Sequence, residues 1–359
     1  MKIVQVIPYY YPIHRWGLEK IAQTLGNFLN HEDGYEVLTI ASDIGNWGAI
    51  LDTDFLIPSL ELVPNFPIPT IRNKTFWDTL HMLEEYKPDV IITHTRFFVQ
   101  SFMGWVLAKR LGCKWVHIEH GSWFVKGYPW YIKSAARLFD QTLWRWIFKH
   151  CDTIVTISQA HKAFIKKFTK KEPIVIYNPI DYQTQPKIEN DVPHIGFIGR
   201  LVPLKWVDIL LQALSAIKDL PRACTIVGEW SERKQLENLA LYLDLSNRVT
   251  FAWADDRSNW LHTFDVFVNP SYQEGVPTTV IEALLSHCIV VATDVWGTRE
   301  ISDKEDLILV EPGNSMLLAL ALRKALNADD IAGTSHDSVV VRFSINSSIE
   351  QYKEAMKNR

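Results

Sequence analysis

The sequence predicts an α/β protein with two Rossmann-like domains, and three observations carry that expectation. Its 359 residues are about twice the length of a common domain. Short β-branched runs alternate with amphipathic segments along nearly the whole chain, the pattern of βαβ units in a buried parallel sheet. A proline-bearing polar stretch, Asn178 to Pro193, breaks that alternation once, which reads as a linker.

In the first half, Ile3–Ile7, Tyr35–Ile40, Val90–Thr93, Trp115–Ile118, Thr153–Ile157 and Ile174–Ile176 are too short and too apolar for helices and read as strands. Apolar positions at helical spacing fill Leu18–Leu29, Phe76–Tyr86 and Val99–Leu111. The second half repeats the scheme with strands at Ile195–Ile198, Cys224–Val227, Val249–Phe251, Val266–Val268, Ile289–Ala292 and Leu307–Val310. Helices are expected at Trp206–Ile217, Ser231–Leu243, Thr278–Ser286, Asn314–Leu326 and Ser347–Lys357. The boundaries that follow are a first domain over 1–178, a linker over 179–193 and a second domain over 194–340. A C-terminal helical segment, 341–359, is expected to pack back on the first domain. Ligands of open parallel sheets sit at the carboxyl ends of the strands, so chemistry is expected there.

Composition narrows the classes. With 37 Lys and Arg against 41 Asp and Glu, 47% apolar and 22% charged residues, the chain is ordinary globular protein and not disordered. A net charge of −4 argues against general nucleic-acid binding, which wants a basic surface. Four widely spaced cysteines without a C-x-x-C pair suit free core thiols better than zinc or disulfides. The N-terminal residues lack a signal-peptide pattern, and no apolar run reaches membrane-spanning length. A cytoplasmic location is expected.

The first strand-to-helix turn, Pro8 to Gly17, lacks G-x-G-x-x-G, which disfavours nicotinamide or flavin chemistry. The second half opens on Gly199-Arg200, with Lys205 five residues on. Two cations at a strand's carboxyl end can neutralise a diphosphate, Arg200 as a fork and Lys205 as a point charge; taken alone, the spacing is equally that of a charged surface loop. Further on, Asn269-Pro-Ser271 leads to Glu274-Gly275-Val276-Pro277-Thr278 and then Glu282. Pro277 sits where a helix begins, and amides from Gly275 to Thr279 suit an anion. Carboxylates near helix starts are common for the dipole alone.

In combination, Arg200, Lys205 and the E-x7-E pair Glu274 and Glu282 resemble the donor half of family-4 glycosyltransferases, retaining enzymes of the GT-B fold. Gly17-Leu-Glu19, Asn178-Pro-Ile-Asp181 and Asp294-Val-Trp-Gly297-Thr-Arg-Glu300 extend that resemblance over nearly the whole chain. It implies transfer of a sugar from a nucleotide diphosphate, which is substrate and not cofactor, without a required metal. Arg200 and Lys205 would hold the diphosphate, Glu282 the ribose, and Glu274 the sugar hydroxyls. Gly17, Gly199, Gly275, Val276, Pro277 and Thr278 would line the donor site, and His120 would stand beside sugar and acceptor. The sequence departs from the family at Trp16 and Trp296, each replacing a glycine, and at Ala252. The Asp255-Asp256 pair reads as solvated loop acids.

Charge is uneven: from Trp123 to Lys171 ten Lys and Arg face two acids. Tyr131–His150 reads as an amphipathic helix whose core stripe is Ile132, Ala135, Ala136, Phe139, Leu143, Trp146 and Ile147. The opposite face would carry Lys133, Arg137, Trp144, Arg145 and Phe148, continued upstream by Trp123, Lys126 and Trp130. Cations with indoles on an exposed face suit an anionic membrane surface. The acceptor is then expected to be lipid-linked or membrane-proximal, or another saccharide, with the protein peripheral at the inner face of the cell membrane. Two rival readings share the two-lobed architecture. A nucleotide-sugar epimerase would act without acceptor, and a solute-binding protein would normally be exported.

Overall fold

In the computed structural model the chain folds as two units, Met1–Pro179 with Ile345–Arg359, and Ile180–Ser344. The structure describes all residues except 10–16, 44–53, 64–65, 71–73, 96–98, 121–129, 131–133, 135–136, 139, 181, 183, 221–222, 254–257, 296, 329–330 and 358–359.

The first unit holds an eight-stranded sheet in the order β4-β3-β2-β1-β5-β6-β7-β8. Its strands are β1 (Lys2–Val6), β2 (Glu36–Asp43), β3 (Asp54–Val63), β4 (Phe66–Pro69), β5 (Val90–His94), β6 (Lys114–Glu119), β7 (Thr153–Thr156) and β8 (Ile174–Val175). Neighbours pair in parallel except β3 and β4. Neither of those two strands was expected from the sequence; Pro67 and Pro69 fall in β4, an edge strand, where proline is tolerated. The apolar runs of β1, β5 and β6 are buried on both faces, as helices covering a parallel sheet require.

Helix α1 (Gly17–Asn30) follows β1, α2 (Lys74–Tyr86) precedes β5, and α3 (Val99–Leu111) leads to β6. The last helix, Ile345–Lys357, also belongs to this unit. It places Ile349, Tyr352, Ala355 and Met356 in one cluster with Ile3, Val90 and Val116, and Lys114 Nζ donates to the carbonyl of Ala355 at 2.8 Å.

The amphipathic helix expected at Tyr131–His150 is corrected by the structure. Trp144 and Phe148, assigned above to a membrane-facing surface, are both 0% exposed. Trp144 packs on Phe148, Phe164 and Phe168, with ring centroids 4.9, 5.6 and 4.4 Å away. The cause is a π turn, Asp140–Trp144, directly before the α-helix α4, Arg145–His150. A π turn adds one residue to the helical count, so a stripe counted at uniform spacing lands one position early. The buried set is Trp144, Ile147, Phe148 and Cys151. Trp130, Arg137, Leu138 and Arg145 are exposed, while Trp123, Lys126 and Lys133 lie outside the described residues.

In the second unit six parallel strands run in the order β11-β10-β9-β12-β13-β14. They are β9 (His194–Ile198), β10 (Ala223–Val227), β11 (Val249–Ala252), β12 (Val266–Asn269), β13 (Ile289–Thr293) and β14 (Leu307–Val310). Residues of the linker stretch are held on this unit. Ile180 donates its amide to Phe343 O at 3.1 Å, Ile188 to His262 O at 2.9 Å, and Asn190 Nδ2 reaches Thr263 O at 2.9 Å. Strand order reverses between β1 and β5 in one sheet and between β9 and β12 in the other. Such switch points open a crevice at the strands' carboxyl ends.

Candidate active site

At the switch point of the second unit, β9 ends at Ile198 and the chain turns through Gly199 to Arg200. A Cβ on Gly228, which follows β10, would lie 2.1 Å from the Gly199 carbonyl oxygen. Only hydrogen fits there, so the two strand-end loops run backbone to backbone, bonded by Gly199 N–H to Val227 O at 3.0 Å and Leu201 N–H to Glu229 O at 2.8 Å. Arg200 is exposed, with its guanidinium 5.8 Å from the Trp230 ring centre. Among the described residues no carboxylate pairs with it.

Lys205 ends the 3-10 turn Pro203–Lys205, and Trp206 follows with φ 47° and ψ 42°. That left-handed backbone is costly for a bulky residue. The indole packs on Tyr272, centroids 4.8 Å apart, while Tyr272 N–H donates to Leu204 O at 2.9 Å. The turn is thereby tied to the loop after β12, and Lys205 Nζ forms an ion pair with Glu274 Oε1. Side-chain exposure is 21% for Lys205 and 13% for Glu274, so neither charge would be well solvated alone. The Ser271 hydroxyl lies 2.7 Å from both Glu274 Oε1 and Asn269 Oδ1. Its one proton serves both oxygens, so the hydroxyl links the Glu274 carboxylate to Asn269 at the end of β12.

Helix α5 here spans Thr278–Leu285, and Pro277 caps it with φ −70° and ψ 111°. The proline stands one position earlier than expected, at the cap. The helix's first bond is Val280 N–H to Pro277 O at 3.1 Å, so the amides of Thr278 and Thr279 precede the ladder and suit an anion. Glu282 is buried on this helix. A Cβ on Gly297 would stand 2.4 Å from Gly275 O, and Gly297 N–H donates to that oxygen at 3.0 Å. The Glu274-Gly275 loop is thus clamped by the loop after β13. Arg200, Lys205, Glu274, Gly275 and Thr278 therefore lie in the segments that follow the carboxyl ends of β9 and β12.

Sequence reasoning missed Arg233. Its guanidinium donates to Gly228 O and Ala252 O at 3.0 Å and to Phe251 O at 2.9 Å, lying 4.4 Å from the Trp253 ring centre. It ties the ends of β10 and β11 beneath the exposed indole of Trp253. The sequence signal was a tryptophan shortly after each of two strands, Trp230 after Val227 and Trp253 after Ala252.

In the first unit, His120 follows β6 and lies 3.1 Å through Nε2 from Nδ1 of His94, the last residue of β5. Nε2 of His94 is 3.1 Å from Gln5 Oε1 on β1, and Gln5 Nε2 donates to Ala22 O at 3.1 Å. His161 Nε2 approaches His120 O at 3.2 Å, and Ser158 bonds His161 Nδ1 at 2.6 Å. Burial pushes His120 down to about 4 and holds His94 well below the usual histidine range, so both are neutral at pH 7. Glu19, in the first turn of α1, is 1% exposed, and burial raises its carboxyl to about 7. Gly17 opens that helix; Trp16, Trp296 and the Asp255-Asp256 pair lie outside the described residues. Among the described residues no three His, Cys, Asp or Glu side chains converge to hold a metal ion.

The two units match two family descriptions. Residues 17–184 match Glycosyltransferase Family 4 and residues 192–328 match Glycosyl transferases group 1. Together these span most of the chain, which belongs to the family-4, group 1 glycosyltransferases. An uncharacterized glycosyltransferase of Methanocaldococcus jannaschii is 27% identical over 322 residues, 82% of each chain. The lipopolysaccharide core biosynthesis glycosyltransferase LpsE of Rhizobium meliloti is 28% identical over 47% of this chain and 51% of its own. Among solved structures, sucrose-phosphate synthase from Thermosynechococcus elongatus superposes with TM-score 0.78 at 19% identity, covering 99% of this chain and 98% of that one. Anabaena HepE in complex with UDP gives 0.77 at 18% identity, with 99% of both chains covered. The fold is GT-B.

Proposed function

We propose that the chain is a retaining, metal-independent glycosyltransferase that moves a sugar from a nucleotide diphosphate to a lipid-linked or membrane-proximal acceptor in glycan, polysaccharide or glycolipid synthesis. The observation that carries the donor side is the cationic edge of β9, where Arg200 has no acidic partner among the described residues and Lys205 is held by Glu274. Cleavage of the sugar–phosphate bond builds negative charge on the departing diphosphate. Fixed cations and the first amides of the Thr278–Leu285 helix stabilise that charge where it develops. The ammonium of Lys205 can exchange Glu274 for phosphate, which leaves the Glu274 carboxylate to accept from sugar hydroxyls. Glu282 takes the ribose on this reading, and His120 the sugar on the acceptor side. HepE binding UDP supports a nucleotide donor.

A membrane-proximal acceptor is supported by exposed Trp130, Arg137, Leu138 and Arg145, a smaller set than the sequence suggested. Among the described residues no helix is long and apolar enough to cross a membrane. The test is a panel of UDP-glucose, UDP-galactose, UDP-N-acetylglucosamine and GDP-mannose, with nucleoside diphosphate release measured with and without membrane-lipid extract. Acceptor-dependent release supports the reading. Conversion of the donor without acceptor would make the protein an epimerase, and binding of sugar without turnover a solute-binding protein.

A further inference from the structure

At the switch point of the first sheet, three polar side chains from three adjacent strand ends form one line: Gln5, His94 and His120. The direction of every proton in it follows from one end. Ala22 O can only accept, so the Gln5 amide must turn its nitrogen toward it. That leaves Gln5 Oε1 facing His94 Nε2, and a carboxamide oxygen can only accept. His94 therefore carries its proton on Nε2. Neutral, it has a lone pair on Nδ1, and the group 3.1 Å away, His120 Nε2, must be the donor. The rings lie within 15° of parallel with centroids 5.4 Å apart, which together with the nitrogen contact describes an in-line bond and not a face-to-face stack.

Space for the amide is built in. A Cβ on Gly26 of α1 would come within 2.7 Å of Gln5 Nε2. Gln5 and His94 are both 0% exposed, so water does not offer either side chain an alternative partner. Around them the titratable groups are His117 and Glu119 of β6 and His161 after β7. None of these occupies the line itself. His117 is turned to Thr93, 2.9 Å from Nδ1, and His161 holds the His120 carbonyl.

We propose that Gln5 and His94 are positioning residues that lock His120 in the neutral Nε2–H tautomer, so that its Nδ1 presents a lone pair to a sugar hydroxyl. This rests on the reading of His120 as a residue of the transferase site. A positioned third group that fixes an imidazole's tautomer is a known requirement where a histidine must accept a proton in one direction. Here no carboxylate is used. The orienting charge is replaced by a carbonyl and an amide, which leaves the pair neutral.

The test is the ¹⁵N spectrum of histidine-labelled protein together with donor turnover. At pH 7 the wild-type protein should show His120 with a protonated Nε2 and an unprotonated Nδ1. A protonated Nδ1 overturns the proposal without touching the transferase reading. His94→Phe should lose the single-tautomer signature and slow nucleoside diphosphate release from the donor panel above by ~10–100-fold, the range seen when the outer partner of a metal-ligating histidine is removed. His94→Asn, whose Oδ1 can replace the Nδ1 acceptor, should restore both. Slow release with an unchanged His120 tautomer in His94→Phe would reduce His94 to packing. His120→Ala with wild-type release would instead remove His120 from the site, and with it the purpose of the relay.

Discussion

The two sheets end differently at the same topological position. After β9 and β12 the second unit presents charge: an exposed guanidinium and a half-buried ammonium paired with a carboxylate. After β1, β5 and β6 the first unit presents neutral polar groups, an amide and imidazoles that burial keeps uncharged. The contrast follows from what each edge can face. Cations are retained where an anion can arrive, because charge there meets charge. Uncharged donors and acceptors suit hydroxyls, which reward direction more than field.

Breaking the charged side should have the largest effect. Arg200→Ala is expected to lower turnover at saturating donor by ~10²–10³-fold, the scale of losing one transition-state donor. Wild-type turnover would remove Arg200 from that role and erase the contrast.

On the neutral side, Glu19 sharpens the comparison through pH. Its carboxyl is raised from 4.5 to about 7, so the folded state holds a proton that the unfolded chain releases above pH 4.5. Stability from this group is complete at low pH and is lost as pH rises through about 7, by about 3 kcal/mol in total. Glu19→Gln should remove that loss, seen as a smaller drop in urea-unfolding free energy between pH 5 and pH 8. His120 acts in the opposite sense: lowered from 6.5 to about 4, it costs stability as pH falls between those values. An unchanged pH dependence in Glu19→Gln would mean that Glu19 is ionised and solvated.

A smaller, geometric effect is expected at Gly228. Gly228→Ala places a methyl against the Gly199 carbonyl, and forcing the loops apart should cost about 1–3 kcal/mol. Turnover should fall as well, since Gly199 carries Arg200. Normal stability by thermal unfolding would show that the loops separate freely.

The smallest effect concerns the surface. Arg137→Gln and Arg145→Gln should each weaken binding to sedimenting anionic vesicles by about 1 kcal/mol, and high salt should abolish the difference. Trp144→Phe should leave vesicle binding alone, because Trp144 is in the core. Equal recovery of the wild-type protein in the supernatant with anionic and neutral vesicles would sink the membrane reading.

Much of the site was legible because its letters are local. Gly199-Arg200, Lys205 and Glu274 to Thr278 each sit at the end of a strand that the apolar pattern announces, and the parallel fold brings strand ends to one edge. The face of the helix before Cys151 was not legible, since one π turn shifts the register and nothing in the composition marks it. Strand β4 carries Pro67 and Pro69, which its edge position tolerates, and neither it nor β3 shows the apolar run of a buried strand.

By itself the sequence determined two α/β units, the strand-end cations and their family, because periodicity and short motifs are properties of neighbours along the chain. Tertiary structure decided which groups are paired and in what protonation state. Lys205 meets Glu274 across 69 positions, and His94 reaches Gln5 across 89. Such partners are set by strand order and burial, neither of which can be read from residues neighbouring in the chain.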